Sequence, residues 1–544
     1  MDLSSLSLSD VGALEIYKGV TPIQFSQASL GGAVNLRTLR REPGFNASLS
    51  GGYGSFDTRK LTGLINHKLG RWDYLVAAEH LTSDNDYPIV NDNGTRWNPN
   101  DDRTEDRNNA ELAQTNLLTK VGGDLTDSLR LALLNQWFHK DQGLPARTNS
   151  PDTDTSLETT RNITTLVLSA EGVTGLDLST RTTLDLLVKH EVYDDSEGDV
   201  GLGSQELAYH THRYGGSFFT EWFGESHLIA VHADLHRETY RSEDLLDDTP
   251  EQESARNTLT LAVQDTWLLA DDALALTPAL RYAHVRDHLD TTGDAALGRR
   301  TRDHFEPQAG LRWQLTPALS LKANLARSVR EPSFFELFGD RGHFLGNADL
   351  KAEKALNGDL GFEVRQRFSG PLLTALRGSA AYFATRAEDL ITRVYDARGI
   401  GQSVNISEAR ISGVEATAAA DLLGFFTLSG NATWQDTENR NAIGAFDGKQ
   451  LPGRWRRSYL GRADARLGEF SVFFEYVAER GLYYDTANLL EAEDKNITNA
   501  GLTWLHGPLR LSFQANNLGD DRHEDLSGYP LPGRHYFVNL KLYF

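Results

Sequence analysis

Histidine pairs and acidic loops are the places where this sequence could do chemistry. His210 and His212, and His232 and His236, are near neighbours among its 16 histidines. Residues two or four apart on a strand share a face, so either pair could ligate a metal. A solvated histidine with no ligand is the commoner occupant of such positions. Around Asp84–Asp86, Asn91–Asn93 and Asp101–Asp102 the chain offers the hard oxygens that Ca²⁺ takes, with a solvated polar loop as the plainer reading. Otherwise the signatures of catalysis are missing. The sequence contains no HExxH zinc helix, no GxSxG elbow and no Walker phosphate loop. With no cysteine at all, disulfides, thiolate metal sites and thiol catalysis are excluded together. No catalytic residue is assigned.

Whatever positions these residues is built on a period of two. In the final stretch, Tyr536, Val538, Leu540, Leu542 and Phe544 alternate with His535, Asn539 and Lys541, with Phe537 and Tyr543 as exceptions. Leu509, Leu511 and Phe513 alternate with Arg510, Ser512 and Gln514, and Leu319, Leu321 and Ala323 with Ser320, Lys322 and Asn324. Such alternation specifies half-polar strands, not helices. About 22 segments read this way, from Phe45–Ser55, Thr58–Leu69 and Trp72–Thr82 through Leu372–Arg386 and Val404–Ala419 to the terminal strand. Short links such as Gly70-Arg71 alternate with long polar ones such as Ser83–Asn109 and Asp141–Arg161. Short turns on one side and long loops on the other, with an even strand number, predict a closed transmembrane antiparallel β-barrel. Closure also removes the exposed edges that an open sheet of this size would carry. Trp137, Trp222, Trp267, Trp313 and Trp455 near strand ends are candidates for interfacial girdles.

Composition is compatible with this reading. No run approaches the roughly 20 apolar residues that a membrane helix needs. A net charge of −22 argues against nucleic acid as a partner, because phosphate binding needs clustered Lys and Arg. At 544 residues the chain could be several soluble domains or one large barrel, and no composition break marks a linker.

Leu14 to Thr38 is a Gly-bearing β-turn-β unit. Its Glu15, Tyr17, Gly19, Gly31, Gly32, Ala33, Val34, Asn35 and Thr38 resemble the end of the plug domain of TonB-dependent outer-membrane receptors. A second match runs through Arg330, Pro332, Glu336-Leu337, Gly346-Asn347, Leu350-Lys351 and Glu353, with Ala348 and Ala352 where prolines are common. Others are Asn405-Ile406 with Gly413, Val414 and Glu415, and Asn516-Asn517-Leu518. The terminal Phe544 resembles the residue that the barrel assembly machinery reads in outer-membrane proteins. The resemblance implies a plug remnant over residues 1–41 and a receptor barrel over 42–544. It also implies a fuller plug, with a TonB-contacting motif and a signal peptide, than this stretch contains.

As a family member, the protein is expected in the outer membrane of a Gram-negative bacterium, surrounded by lipid. Its expected activity is TonB-coupled uptake of a small-molecule metal complex, a ferric siderophore first, with cobalamin or haem as alternatives, the TonB complex being a partner only of the full-length form. Arg330, Arg341 and His343 are the ligand-binding candidates, His343 because haem receptors of the family place a histidine in that interval. No cofactor is expected beyond the loop Ca²⁺ noted above. A passive porin or an adhesin is the reading from a different class.

Overall fold

The computed structural model describes residues 7, 9, 11–18, 20–26, 30–39, 44–95, 98–149, 153–172, 177–201, 203–247, 251–289, 298–339, 341–342, 344–395, 400–440 and 444–544. Its strands form a closed antiparallel barrel of 22 strands, the first being Gly44–Gly54 and the last His535–Tyr543. These two meet in register, with Val538 opposite Tyr53 and Leu542 opposite Leu49. Phe544 extends the seam, its amide donating to the Ala47 carbonyl at 2.8 Å and its carbonyl accepting from the Ala47 amide at 3.2 Å.

Which face meets lipid follows from exposure. On the last strand, Tyr536, Val538, Leu540 and Leu542 are exposed, while the alternating His535, Phe537, Asn539 and Lys541 are half-buried. Leu235, Leu360, Phe305 and Phe474 repeat this around the barrel. A soluble sheet protein buries its apolar face; here the apolar face is the outer one, as a lipid-facing barrel requires. Polar groups turn inward and pair, Asp73 with Arg130 at 2.6 Å and Glu306 with Arg281 at 3.4 Å. Of the wet-side exceptions, Phe537 turns inward over Gly52 and Gly54. Tyr543 lies under the Lys541 ammonium, 5.0 Å from its ring centroid.

Strands reach further than alternation alone predicts. The segment expected over Leu372–Arg386 runs over Leu373–Tyr395, that over Val404–Ala419 over Gly401–Leu422, and that over Asn162–Glu171 over Ser156–Ala170. Apart from residues 420–422, which run toward a short turn, the additions lie at the long-loop end, where water covers both faces and hydrophobic alternation stops marking the strand. Trp222, Trp267 and Trp313 are exposed beside the short turns, as an interfacial girdle needs, whereas Trp455 sits just before its strand, which begins at Arg457. The polar stretch Ser83–Asn109 holds a small hairpin, Pro88–Asn91 paired with Arg103–Asp106. Buried Tyr87 and Ile89 anchor it, the Tyr87 hydroxyl donating to the Pro530 carbonyl at 2.8 Å.

Candidate functional site

Inside the barrel lies a second small sheet, Val11–Lys18 paired with Gly32–Thr38. Glu15 organises it. Its carboxylate accepts from Asn35 Nδ2 and Arg37 Nη1, both at 2.9 Å, and from the Tyr17 hydroxyl at 3.1 Å. Those donors, the Arg37 guanidinium foremost, hold the Glu15 carboxyl below the usual range. Gly32 adopts φ +116°, and a Cβ there would lie 2.1 Å from the Tyr17 carbonyl oxygen, so the crossing needs glycine. Gly31 precedes it with open space around its Cα, and Gly19 lies outside the described residues.

The segment between the two strands docks on the barrel wall. Ile23 packs, almost fully buried, against Ala230 and Ala262 of neighbouring strands. Arg281 Nη2 donates to the carbonyls of Phe25 at 3.1 Å and Pro22 at 3.4 Å while its Nη1 faces Glu306. On other parts of the wall, Lys120 donates to the Thr38 hydroxyl at 2.9 Å and Lys18 pairs with Glu415 at 2.7 Å. The hairpin is therefore a lumen obstruction pinned at several points.

At the long-loop end a second assembly closes over the lumen. Here the chain makes one helical turn, Phe334–Phe338, started by a capping box: the Ser333 hydroxyl accepts from the Glu336 amide, and the Glu336 carboxylate accepts from the Ser333 amide. Arg330 bridges Glu336, at 2.9 Å, and Glu353. Burial pushes the Glu336 carboxyl up, but Arg330 and the Ser333 amide outweigh it and hold it below the usual range. Arg341 reaches across to Glu191 at 3.1 Å, with its guanidinium 4.3 Å from the Tyr209 ring centroid and 5.2 Å from that of Phe335. Phe335 stacks on Phe344 at 5.4 Å, and Arg393 lies 4.8 Å over Phe344. Beneath these, Tyr193, Tyr209, Tyr240, Phe334, Leu337 and Leu350 form one buried cluster.

Of the three ligand-binding candidates, then, Arg330 and Arg341 belong to one rim assembly but have different surroundings. Arg330 is locked between two carboxylates; Arg341 lies among aromatic rings. His343 lies outside the described residues. Sequence reasoning missed Tyr193, Tyr209, Phe335 and Phe344. Only the capping spacing from Ser333 to Glu336 could have flagged the helical turn that presents Phe335.

The histidine pairs separate. His210 and exposed His212 are on the outer face, where His210 Nδ1 lies 3.2 Å from His190 Nδ1 across the strand pair. His232 and His236 are buried on the lumen side, with His236 bound to Asp234 at 2.8 Å. The acidic loops are occupied by their own turns: Asp101 accepts from the Thr95 hydroxyl, and Asn91 Oδ1 from the Asn93 amide. Among the described residues no three histidine or carboxylate side chains converge as a metal site.

A closed 22-strand barrel with an apolar outer face and a hairpin pinned inside its lumen defines an outer-membrane barrel protein. The family model for the TonB dependent receptor-like β-barrel matches residues 38–518, and the chain belongs to the TonB-dependent receptor family. It is similar to the vitamin B12 transporter BtuB of Vibrio cholerae, 22% identical over 561 residues, covering 100% of this chain and 81% of the relative. Among solved structures it resembles the copper transporter OprC, with TM-score 0.81 at 15% identity, covering 99% of this chain and 87% of the other. It likewise resembles the ferric enterobactin receptor PfeA, with TM-score 0.77 at 16% identity, covering 100% and 87%. This family places the protein in the outer membrane of a Gram-negative bacterium, and TonB-dependent receptors bind small-molecule substrates and interact with TonB.

Proposed function

We propose that the chain serves TonB-coupled uptake of a small metal complex, and that its cargo is a ferric siderophore whose ligand shell is aromatic and anionic. The supporting observation is Arg341, set between Tyr209 and Phe335 at the mouth, with Phe344 and Arg393 alongside. The half-buried rings of Phe335 and Phe344 offer faces on which the aryl groups of a chelator stack. Exposed Arg393 over Phe344 attracts its negative charge, whereas Arg341 shares its charge with Glu191. The likeness to a ferric enterobactin receptor supports the same class of cargo. Transport here is conformational, with no covalent step. Cargo settles on the rim, and displacement of the hairpin from Arg281, Lys120 and Glu415 opens the path behind it.

A passive porin fits less well, because a hairpin held to the wall by Ile23, Arg281 and Lys120 narrows the lumen that a porin keeps open. Growth decides between cargoes. A strain lacking the full-length gene is supplied in turn with ferric siderophores, haem and cobalamin as the limiting source. Failure on an aromatic ferric siderophore alone, restored by the wild-type gene and weakly by Arg341→Ala, is the expected result. Failure on cobalamin or haem instead would replace the cargo, and normal growth on all three would reject this class.

A further inference from the structure

Two histidines of the outer wall present ring nitrogens to each other, and uptake does not use them. His190, on the strand Leu178–Asp195, is directly opposite His210 on Gln205–Phe223. Exposed Leu184, Leu186 and Val188 identify the face: His190 follows Val188 on the same side of the strand, away from the lumen. The two Nδ1 atoms are 3.2 Å apart, with ring centroids at 4.5 Å and ring planes inclined by 32°. Other outward histidines of this wall meet a hydroxyl or a carboxylate instead. His80 Nδ1 lies 2.9 Å from the Thr115 hydroxyl, His139 Nδ1 2.9 Å from the Thr160 hydroxyl, and His284 Nδ1 2.8 Å from Asp303.

Such a pair can hold either a proton or a metal ion between its nitrogens. One neutral ring donating its Nδ1–H to the other accounts for the contact with no ion. With the proton of each ring on Nε2, both Nδ1 lone pairs point at a shared position. A transition metal takes imidazole nitrogen at about 2.0–2.1 Å, so a nitrogen separation of 3.2 Å corresponds to a ligand–metal–ligand angle of roughly 100°. That angle falls between the square-planar and the tetrahedral one, so neither ring has to move far to hold a late first-row dication. Both side chains are half-buried, which restricts their rotamers and lessens the entropy lost on binding. Arg241, opposite His210, is the neighbouring cation. Its charge is balanced by Glu251 at 3.0 Å and Glu243 at 3.5 Å, which lessens the repulsion that a dication would meet there. Two protein ligands leave the remaining coordination positions to water.

We propose that His190 and His210 form a two-nitrogen site for a divalent late transition metal, separate from the cargo path through the lumen. Cu²⁺ is the probe of choice, because nitrogen ligands bind it most tightly among the first-row dications. The barrel, purified in detergent without a histidine tag and stripped with a chelator, is titrated with cupric chloride at about pH 7.5, where imidazole is neutral. Calorimetry reads the affinity and electron paramagnetic resonance the ligands. One tight Cu²⁺ per barrel with two equatorial nitrogens is expected. His190→Ala and His210→Ala should each lose at least about tenfold in affinity, a loss that even the outer partner of a metal ligand can bring. His190→Glu, which supplies a carboxylate ligand, should recover most of it with one nitrogen in the spectrum, which guards against misfolding as the cause. His506→Ala, at the short-turn end, should change nothing. Wild-type binding no tighter than that of the two Ala variants, or a wild-type spectrum with a single nitrogen, would overturn the proposal and leave the pair as a hydrogen bond. A loss in His212→Ala with none in His190→Ala would also overturn it, by moving the site to His210 and His212.

Discussion

The ring of Phe537 fills the space that a side chain at residue 52 would need: a Cβ on Gly52 would meet Phe537 Cζ at 2.4 Å. The two residues belong to the last and first strands, so this contact lies on the seam that closes the barrel. Phe537 is also an apolar residue on the lumen face. The missing side chains of Gly52 and Gly54 make the room for it.

Gly52→Val should therefore disturb closure. Overfilling a packed contact costs about 1–3 kcal/mol. Urea unfolding of the refolded barrel should register that loss, and Gly52→Val/Phe537→Ala should return most of it. A single variant as stable as wild type would disprove the seam contact.

Leu360 lies 62% exposed in the apolar band. Leu360→Arg puts a charge against lipid, for which about 2–4 kcal/mol is expected near the midplane. The same unfolding measurement in lipid vesicles checks it. Gln366→Arg, near the short-turn end of the same strand, should cost far less.

Arg281 ties the lumen hairpin to the wall through two carbonyls. Arg281→Ala removes both hydrogen bonds and leaves Glu306 buried without its partner, so the segment 20–26 should open more readily by roughly 1–3 kcal/mol. Hydrogen exchange resolved by peptide should rise there while amides of the distant strand Phe470–Arg480 stay protected. Unchanged exchange at 20–26 would show that Ile23 alone secures the segment.

Glu15 makes the hairpin sensitive to acid. Arg37 first, then Asn35, hold its carboxyl below the ordinary value of about 4.3. A depressed carboxylate contributes stability above that ordinary value, and the contribution disappears as pH falls through the depressed one. Protection of the amides of Val11–Lys18 should thus drop selectively below about pH 4. Glu15→Gln should remove the pH dependence and leave protection low throughout.

The barrel was legible in sequence because lipid imposes a simple rule on it. Every strand that crosses the apolar band must alternate, and stretches such as Leu509–Asn517 or Phe470–Glu479 read within a residue of their observed limits. That rule lapses outside lipid, which is why the upper part of Leu373–Tyr395 and the hairpin at Pro88–Asn91 escaped it. The rim was opaque for another reason. Arg341 and Glu191 are 150 residues apart, and their meeting with Tyr209 depends on strand register, which no local pattern of residues encodes. Glu15, Asn35 and Thr38 could be singled out through the family resemblance, yet the attachment of Thr38 to Lys120 is again a matter of tertiary placement.

The 23-residue strand Leu373–Tyr395 has a consequence for how cargo arrives. At about 3.4 Å per residue it is roughly 78 Å long, and a tilt near 40° leaves roughly 60 Å of height against an apolar band of about 25 Å. Much of that excess stands above the bilayer like a chimney. Molecules reach such an opening by diffusing through open solvent, without first adsorbing to the cell surface. Encounter frequency should then follow bulk concentration and respond little to how strongly a cargo partitions into the membrane.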